Sequence, residues 1–208
     1  MSTQRRRVLE GSKKLEIPAD GVYIEDLEGK AYTVDEWQGG NDANSIIVAS
    51  GDVKFRMSLT ESPSDMHISS SHYDPLENYM TAISDLTEAK ADYDGAGNTA
   101  KIMQMQPSTS YAAGYCNAFT FPDGKTKGYL PSFGQSDLAH QNKEVIGTAL
   151  NKCGGTAMRT KGFYWTSTFY NVDWENYRSC WNLYWGGNNI HASSLGGTYH
   201  VRPFADIS

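Results

Sequence analysis

The last 47 residues of the chain contain no lysine, no glutamine and no methionine. All 24 residues of these types lie at or before Lys161, and at that density about seven would fall in the remainder. A surface built of strands and turns is one cause, because such surfaces are poor in Lys and Gln and rich in Gly, Asn and aromatics. Other scarcities exclude whole classes of function. No window approaches the 18 apolar residues of a membrane span, and the mean hydropathy is -0.54, so no membrane insertion is expected. The opening MSTQRRRVLEGSKK has cations but no apolar run behind them, so no signal peptide is expected. Basic clusters are equally scarce: Arg5, Arg6 and Arg7 with Lys13 and Lys14 read as a solvated arm, and a net charge of -6 argues against nucleic acid as a partner. Cysteine is limited to Cys116, Cys153 and Cys180, an odd number without CxxC or metal-like spacing, expected reduced and buried.

What is present is concentrated near the end. Residues 162–203 mix Tyr and Trp with Ser, Gly and Asn, the combination that binding surfaces use because rigid aromatic area and adaptable hydrogen bonding occur together. The 208 residues, 39% apolar, suffice for one sizeable core. Residues 1–19 are polar and aperiodic and read as a flexible arm or attachment segment, with residues 20–208 as one domain.

In order along the domain, Gly21 to Ile24 and Ala31 to Val34 flank a Gly29 turn and read as a hairpin. A second hairpin joins Ser45–Ser50 to Val53–Leu59 about Gly51, with Val53, Phe55, Met57 and Leu59 alternating onto one face. Residues 61–75 read as a surface loop. Leu76, Tyr79, Met80, Ile83 and Leu86 fall at helical spacing over 76–91. Asp92, Asp94 and Asn98 open like a calcium loop, but position twelve is Met103 rather than an acid, so the stretch reads as a loop held by Asx turns. A helix over 108–119 and another over 136–152, capped by Ser136 and stopped by Gly154 and Gly155, complete a strands, helices, strands order. The expected class is α+β.

These landmarks carry a family resemblance. Gly21-Val22-Tyr23-Ile24, Asp94 to Thr99, Ala112 to Cys116, Gly128-Tyr-Leu-Pro-Ser132, Gly154-Gly155-Thr156, Tyr164-Trp165-Thr166-Ser167-Thr168, Trp181-Asn182-Leu183 and Val201-Arg202-Pro203 follow one another. The ordered set resembles bacterial and phage C-type-lectin-like (formylglycine-generating-enzyme-type) domains, and within them the variable proteins of diversity-generating retroelements. The resemblance implies a C-type-lectin-like fold with mixed strands, two or three helices and long loops. It also implies a variable region, about residues 165–203, rewritten at adenines of a template, chiefly at Asn codons. Asn codons ending in a pyrimidine never become Lys, Gln, Met, Glu or Trp, which matches the missing types. Trp165, Trp174, Glu175, Trp181 and Trp185 would then be scaffold. The resemblance places Tyr170, Asn171, Val172, Asp173, Asn176, Tyr177, Asn182, Tyr184, Gly186, Gly187, Asn189, His191, Ala192, Ser193 and Ser194 at or near diversified, ligand-binding sites.

Strand alternation fits such a design. In Trp181-Asn182-Leu183-Tyr184-Trp185 the odd residues share one face and can anchor a core, leaving Asn182 and Tyr184 on a face free to change. Catalysis finds little support: His67, His72, His140, His191 and His200 show no HExxH or HxH spacing, Ser132 lacks a GxSxG elbow, and Asp173 with Glu175 stands alone. Sulfatase-modifying enzymes share the fold, but the resemblance brings no paired catalytic cysteines onto Cys153 and Cys180. Sugar-binding signatures of calcium lectins are absent too, since Trp181-Asn182 continues into Leu183.

The expectation is therefore a non-enzymatic protein without metal or cofactor that binds a cell-surface protein or glycan receptor. The leading version is a phage tail-tip component, in contact with other virion tail proteins and displayed as a homo-oligomer such as a trimer, which gains avidity. The alternative is a carbohydrate-binding module of fixed specificity at the cell surface.

Overall fold

The computed structural model describes residues 17, 19–40, 42–69, 80–172, 177–187, 190–194 and 197–207; for 171–172, 177–179 and 190–194 it describes the backbone. The expected arm over 1–19 thus falls almost wholly outside the described residues. Its end is tied down, because the Tyr23 hydroxyl donates to the Ala19 carbonyl at 3.1 Å and Asp20 Oδ1 accepts from the Gly51 N–H at 2.7 Å.

Both expected hairpins form. Strand β1 (Gly21–Asp26) pairs antiparallel with β2 (Ala31–Thr33) and β3 (Ala43–Ser50), and β3 pairs with β4 (Val53–Met57) across Gly51, whose φ of 57° is the left-handed turn a glycine permits. The chain's last strand, β10 (Phe204–Asp206), returns to pair with β4, giving the order β10-β4-β3-β1-β2. Both faces of this sheet are covered, so β3 is buried along nearly its whole length. On one face Val22, Ile24, Ile46, Val48, Phe55, Met57 and Phe204 join the main core. On the other, Tyr23, Ile47 and Ala49 cluster beside an ion pair in which Arg56 binds Glu25 twice, Nη2 to Oε1 at 2.7 Å and Nε to Oε2 at 2.8 Å. Asn44 and Ser45 satisfy the same carboxylate at 2.9 and 2.7 Å, which is what a buried charge requires.

Five helices occur among the described residues: α1 (Leu86–Lys90), α2 (Gly95–Met105), α3 (Ala112–Ala118), α4 (Phe133–Gln141) and α5 (Lys143–Lys152). Of the expected helix over 76–91, residues 76–79 lie outside the described set and the rest is helical only from Leu86, where Asp85 caps the Thr87 and Glu88 N–H groups. The expected single helix over 136–152 is two, parted at Asn142, and its start is set by Ser132 rather than Ser136. Ser132 forms a capping box with Gln135, which places the cap four residues earlier in the chain. The Asp92–Asn98 stretch is held by Asx contacts as expected, Asp92 Oδ1 accepting the Asp94 N–H at 3.0 Å and Asp94 Oδ1 the Gly97 N–H at 2.9 Å. Yet Asp94 is also the cap of α2, a helix hidden in the sequence by two glycines. Gly95 is required there by close approach: a Cβ would stand 2.8 Å from the Ser132 nitrogen and from the Tyr129 ring.

The remaining strands are β5 (Met66–His67), paired with β9 (Thr198–Tyr199), and a separate sheet of β6 (Phe163–Val172), β7 (Tyr177–Tyr184) and β8 (Ile190–Ser194) in that order. The stretch expected to be a surface loop over 61–75 is mixed where described: Pro63, Ser64, Asp65 and His67 are exposed as expected, but Glu61, Ser62, Ile68 and Ser69 are buried. The result is a mixed α+β fold with several antiparallel sheets. No helix of the described residues is long and apolar enough to cross a membrane.

Candidate functional site

The candidate residues lie on and around the β6-β7-β8 sheet, so the question is what holds that sheet and which parts of it reach the surface. Its central irregularity is a bulge. Trp165 pairs with Asn182 and Phe169 with Cys180, so β6 carries two more residues than β7 over that interval. Loosened backbone groups need partners, and the Thr166-Ser167-Thr168 run supplies them. Thr166 Oγ1 donates to the Trp181 carbonyl at 2.7 Å, and the Ser167 N–H donates to the Pro131 carbonyl at 2.8 Å. Thr168 Oγ1 donates to Asp92 Oδ2 at 2.6 Å and accepts the Phe133 N–H at 2.7 Å. The hydroxyls thus bolt the sheet to the start of α4 and to the loop before α2.

This sheet lies between two cores. Trp181, Leu183, Trp185 and Tyr164 pack into the main core, with the Trp181 ring 5.3 Å from Phe133 and 4.9 Å from Tyr170. The opposite face, Trp165, Phe169 and Cys180, packs on Ile102, Ala112, Ala113 and Cys116 of α2 and α3. The expectation that Asn182 sits on a freely variable face is therefore corrected. Asn182 is 0% exposed, and neither amide atom has a hydrogen-bond partner. Tyr184 is half-buried, its ring 5.4 Å from that of Phe163. Alternation failed here because it presumes one face in water, and α2 and α3 cover that face.

Below the sheet runs a polar network that the sequence did not announce. Glu61 accepts from Arg159 Nε at 2.6 Å, from the Tyr164 hydroxyl at 2.6 Å and from Arg202 Nη2 at 3.3 Å. Arg202 also donates to the carbonyls of Ser58 and Thr156, at 2.9 and 2.7 Å. Burial pulls the Arg202 guanidinium below its usual range, opposed by Tyr164 and Glu61, and burial with the Glu61 contact pushes the Tyr164 hydroxyl well above its own. His200 lies with Nδ1 2.5 Å from Asp65 and donates from Nε2 to the Lys161 carbonyl at 2.9 Å. His140, on α4, donates from Nε2 to the Trp185 carbonyl at 3.2 Å, and burial together with Lys143 lowers its pKa. Glu61 stands in a Ser- and Pro-rich stretch that reads as a loop, and Arg202 was legible only as a landmark between Val201 and Pro203. All three cysteines are free and buried, as expected.

The register divides the candidate residues into groups. Tyr170, Asn171, Val172 and Tyr177 lie at the β6-β7 hairpin end, where Ser179 pairs with both Tyr170 and Ser194. Ser193 stands opposite Cys180, Ala192 opposite Trp181 and His191 opposite Asn182 on β8, one of the sheet's two edge strands. Tyr184, Gly186 and Gly187 lie at the other end of β7, roughly 23 Å away at about 3.3 Å per residue. Asp173, Asn176 and Asn189 lie outside the described residues. Tyr170 is half-buried, whereas Gly186 is exposed. The arrangement is a clamped base with candidate residues at both ends of β7 and along β8 between them.

Comparison with known proteins adds a fold relationship. No family model matches the chain, and no curated protein matches it. Among solved structures, a fimbrial protein from Bacteroides ovatus is similar with a TM-score of 0.57 and 16% identity, over 88% of this chain and 48% of that one. The chain thus spans about half the length of that protein, and the likeness is one of fold.

Proposed function

We propose that this protein is a non-enzymatic ligand-binding and adhesion protein. It has a C-type-lectin-like scaffold, and the ends of its β6-β7-β8 sheet form the binding surface. One observation carries the reading: the segment devoid of Lys, Gln and Met builds the very sheet whose base is clamped by Glu61, Asp92 and Arg202. Surface substitutions away from such clamps typically move stability by no more than about 0.5 kcal/mol, so the ends can change chemistry while the base keeps its shape. The resemblance to variable proteins of diversity-generating retroelements supplies a reason for change at those ends. Of the two carriers open from sequence, phage tail and cell surface, the fold likeness to a fimbrial protein favours the cell surface. The receptor is then a surface protein or glycan, and display in several copies raises weak single contacts by avidity.

The test is binding of the labelled protein to a glycan array and to intact bacterial cells. Tyr177→Ser and Tyr184→Ser, one at each end of β7, should each be compared with Val145→Ser on α5, whose side chain is exposed. Loss of signal in either β7 variant, with binding retained by Val145→Ser, is the expected result. Equal retention in all three contradicts the proposal.

A further inference from the structure

Among the described residues, four deeply buried side-chain polar atoms have no hydrogen-bond partner: Ser167 Oγ, both amide atoms of Asn182, and Arg202 Nε. Arg202 lines a cavity that neither of the other two lines. That cavity measures about 20 Å³ and lies between Tyr164 of β6, Leu183 of β7, Trp185, Ser136 of α4 and Phe204 of β10. It therefore sits where the three-stranded sheet meets the rest of the fold.

Both terminal guanidinium nitrogens have partners. Nη1 donates to the Ser58 carbonyl at 2.9 Å, and Nη2 donates to the Thr156 carbonyl at 2.7 Å and to Glu61 at 3.3 Å. Nε is the guanidinium nitrogen without one, and a buried N–H left without an acceptor is costly. The neighbouring Tyr164 hydroxyl is already committed, donating to Glu61 and accepting the Arg159 N–H at 2.8 Å. Ser136 is the other polar side chain on the cavity wall, beside Arg202 and Tyr164. A single water needs about 10 to 15 Å³ of such space and at least two polar partners, so the cavity has room for one water and is too small for an organic ligand.

We infer that one internal water occupies this cavity, accepting from Arg202 Nε and bonded to Ser136 Oγ, and that it joins the C-terminal Arg202 to α4 beneath Trp185. A high-resolution crystal structure of the full chain tests this directly. A density peak about 2.7 to 3.2 Å from Arg202 Nε is expected. A cavity without a peak, or a peak not bonded to Nε, overturns the inference. In solution, the Arg202 Nε–H should show a nuclear Overhauser contact to a long-lived water, and its absence likewise overturns the assignment.

Discussion

Glu61→Gln is the substitution whose consequence follows most directly from the network beneath the sheet. The Glu61 side chain is 3% exposed and that of Arg202 1%, so removing the negative charge strands a cation shielded from bulk solvent. The new amide keeps one acceptor oxygen and turns its NH2 toward groups that themselves donate, either Arg159 Nε on one side or the Tyr164 hydroxyl and Arg202 Nη2 on the other. Breaking one side of a buried pair costs about 3 to 5 kcal/mol. Most of that belongs to Arg202, because the Arg159 side chain is 42% exposed and water screens its share. At this chain length the loss corresponds to a drop in melting temperature of roughly 6 to 20 °C. Thermal unfolding followed by circular dichroism, with guanidinium titration for the free energy, reads it. Asp35→Asn is the control: it removes a fully exposed partner of Lys152 and should leave the melt unchanged. A loss below about 1 kcal/mol for Glu61→Gln would refute the claim that Arg202 depends on this carboxylate.

Three further outcomes follow from other buried groups. Asn182→Leu exchanges a fully buried amide without partners for an apolar side chain of similar volume, so stability should hold or rise by about 1 kcal/mol in a denaturant titration; an equal loss would mean the amide is bonded. His140 has a lowered folded pKa, so its contribution is present above the unfolded value of about 6.5 and is lost as pH falls through the folded value; His140→Asn should flatten the melting temperature against pH below about 6.5. Burial pushes the Cys153 thiol up to about 11, Cys180 up to about 12 and Cys116 well above its usual range, so iodoacetamide at mildly alkaline pH should label none of them until the protein unfolds.

The hairpins of the first sheet were legible because their signals are local. Val53, Phe55, Met57 and Leu59 alternate, and all four reach the main core as the alternation requires. The helices were less so. Gly95 and Gly97 conceal α2, since the reason for Gly95 lies 37 residues away at Ser132, and the break between α4 and α5 falls at Asn142 without a glycine or proline. The sheet that carries the candidate residues was visible as composition and as spacing, but its surroundings were not. Asn182 lies inside because α2 and α3 close over the second face, and Glu61 lies inside because Arg159, Tyr164 and Arg202 converge on it from distant parts of the chain. Long-range partners of this kind leave no periodicity to read.

The central claim is that the last segment changes its surface on an unchanging base. Its most direct test is to sequence the DNA flanking the gene and align the codons for residues 165 to 203 with any imperfect repeat nearby. The account predicts a repeat that differs from the gene only at its adenines, with differences at codons of the sheet ends such as 170 to 172 and 177. Codons for Trp165, Thr166, Thr168, Trp181 and Arg202, which build the base, should match. Absence of a repeat, or differences spread through those base codons, would contradict it and leave a binding module of fixed specificity.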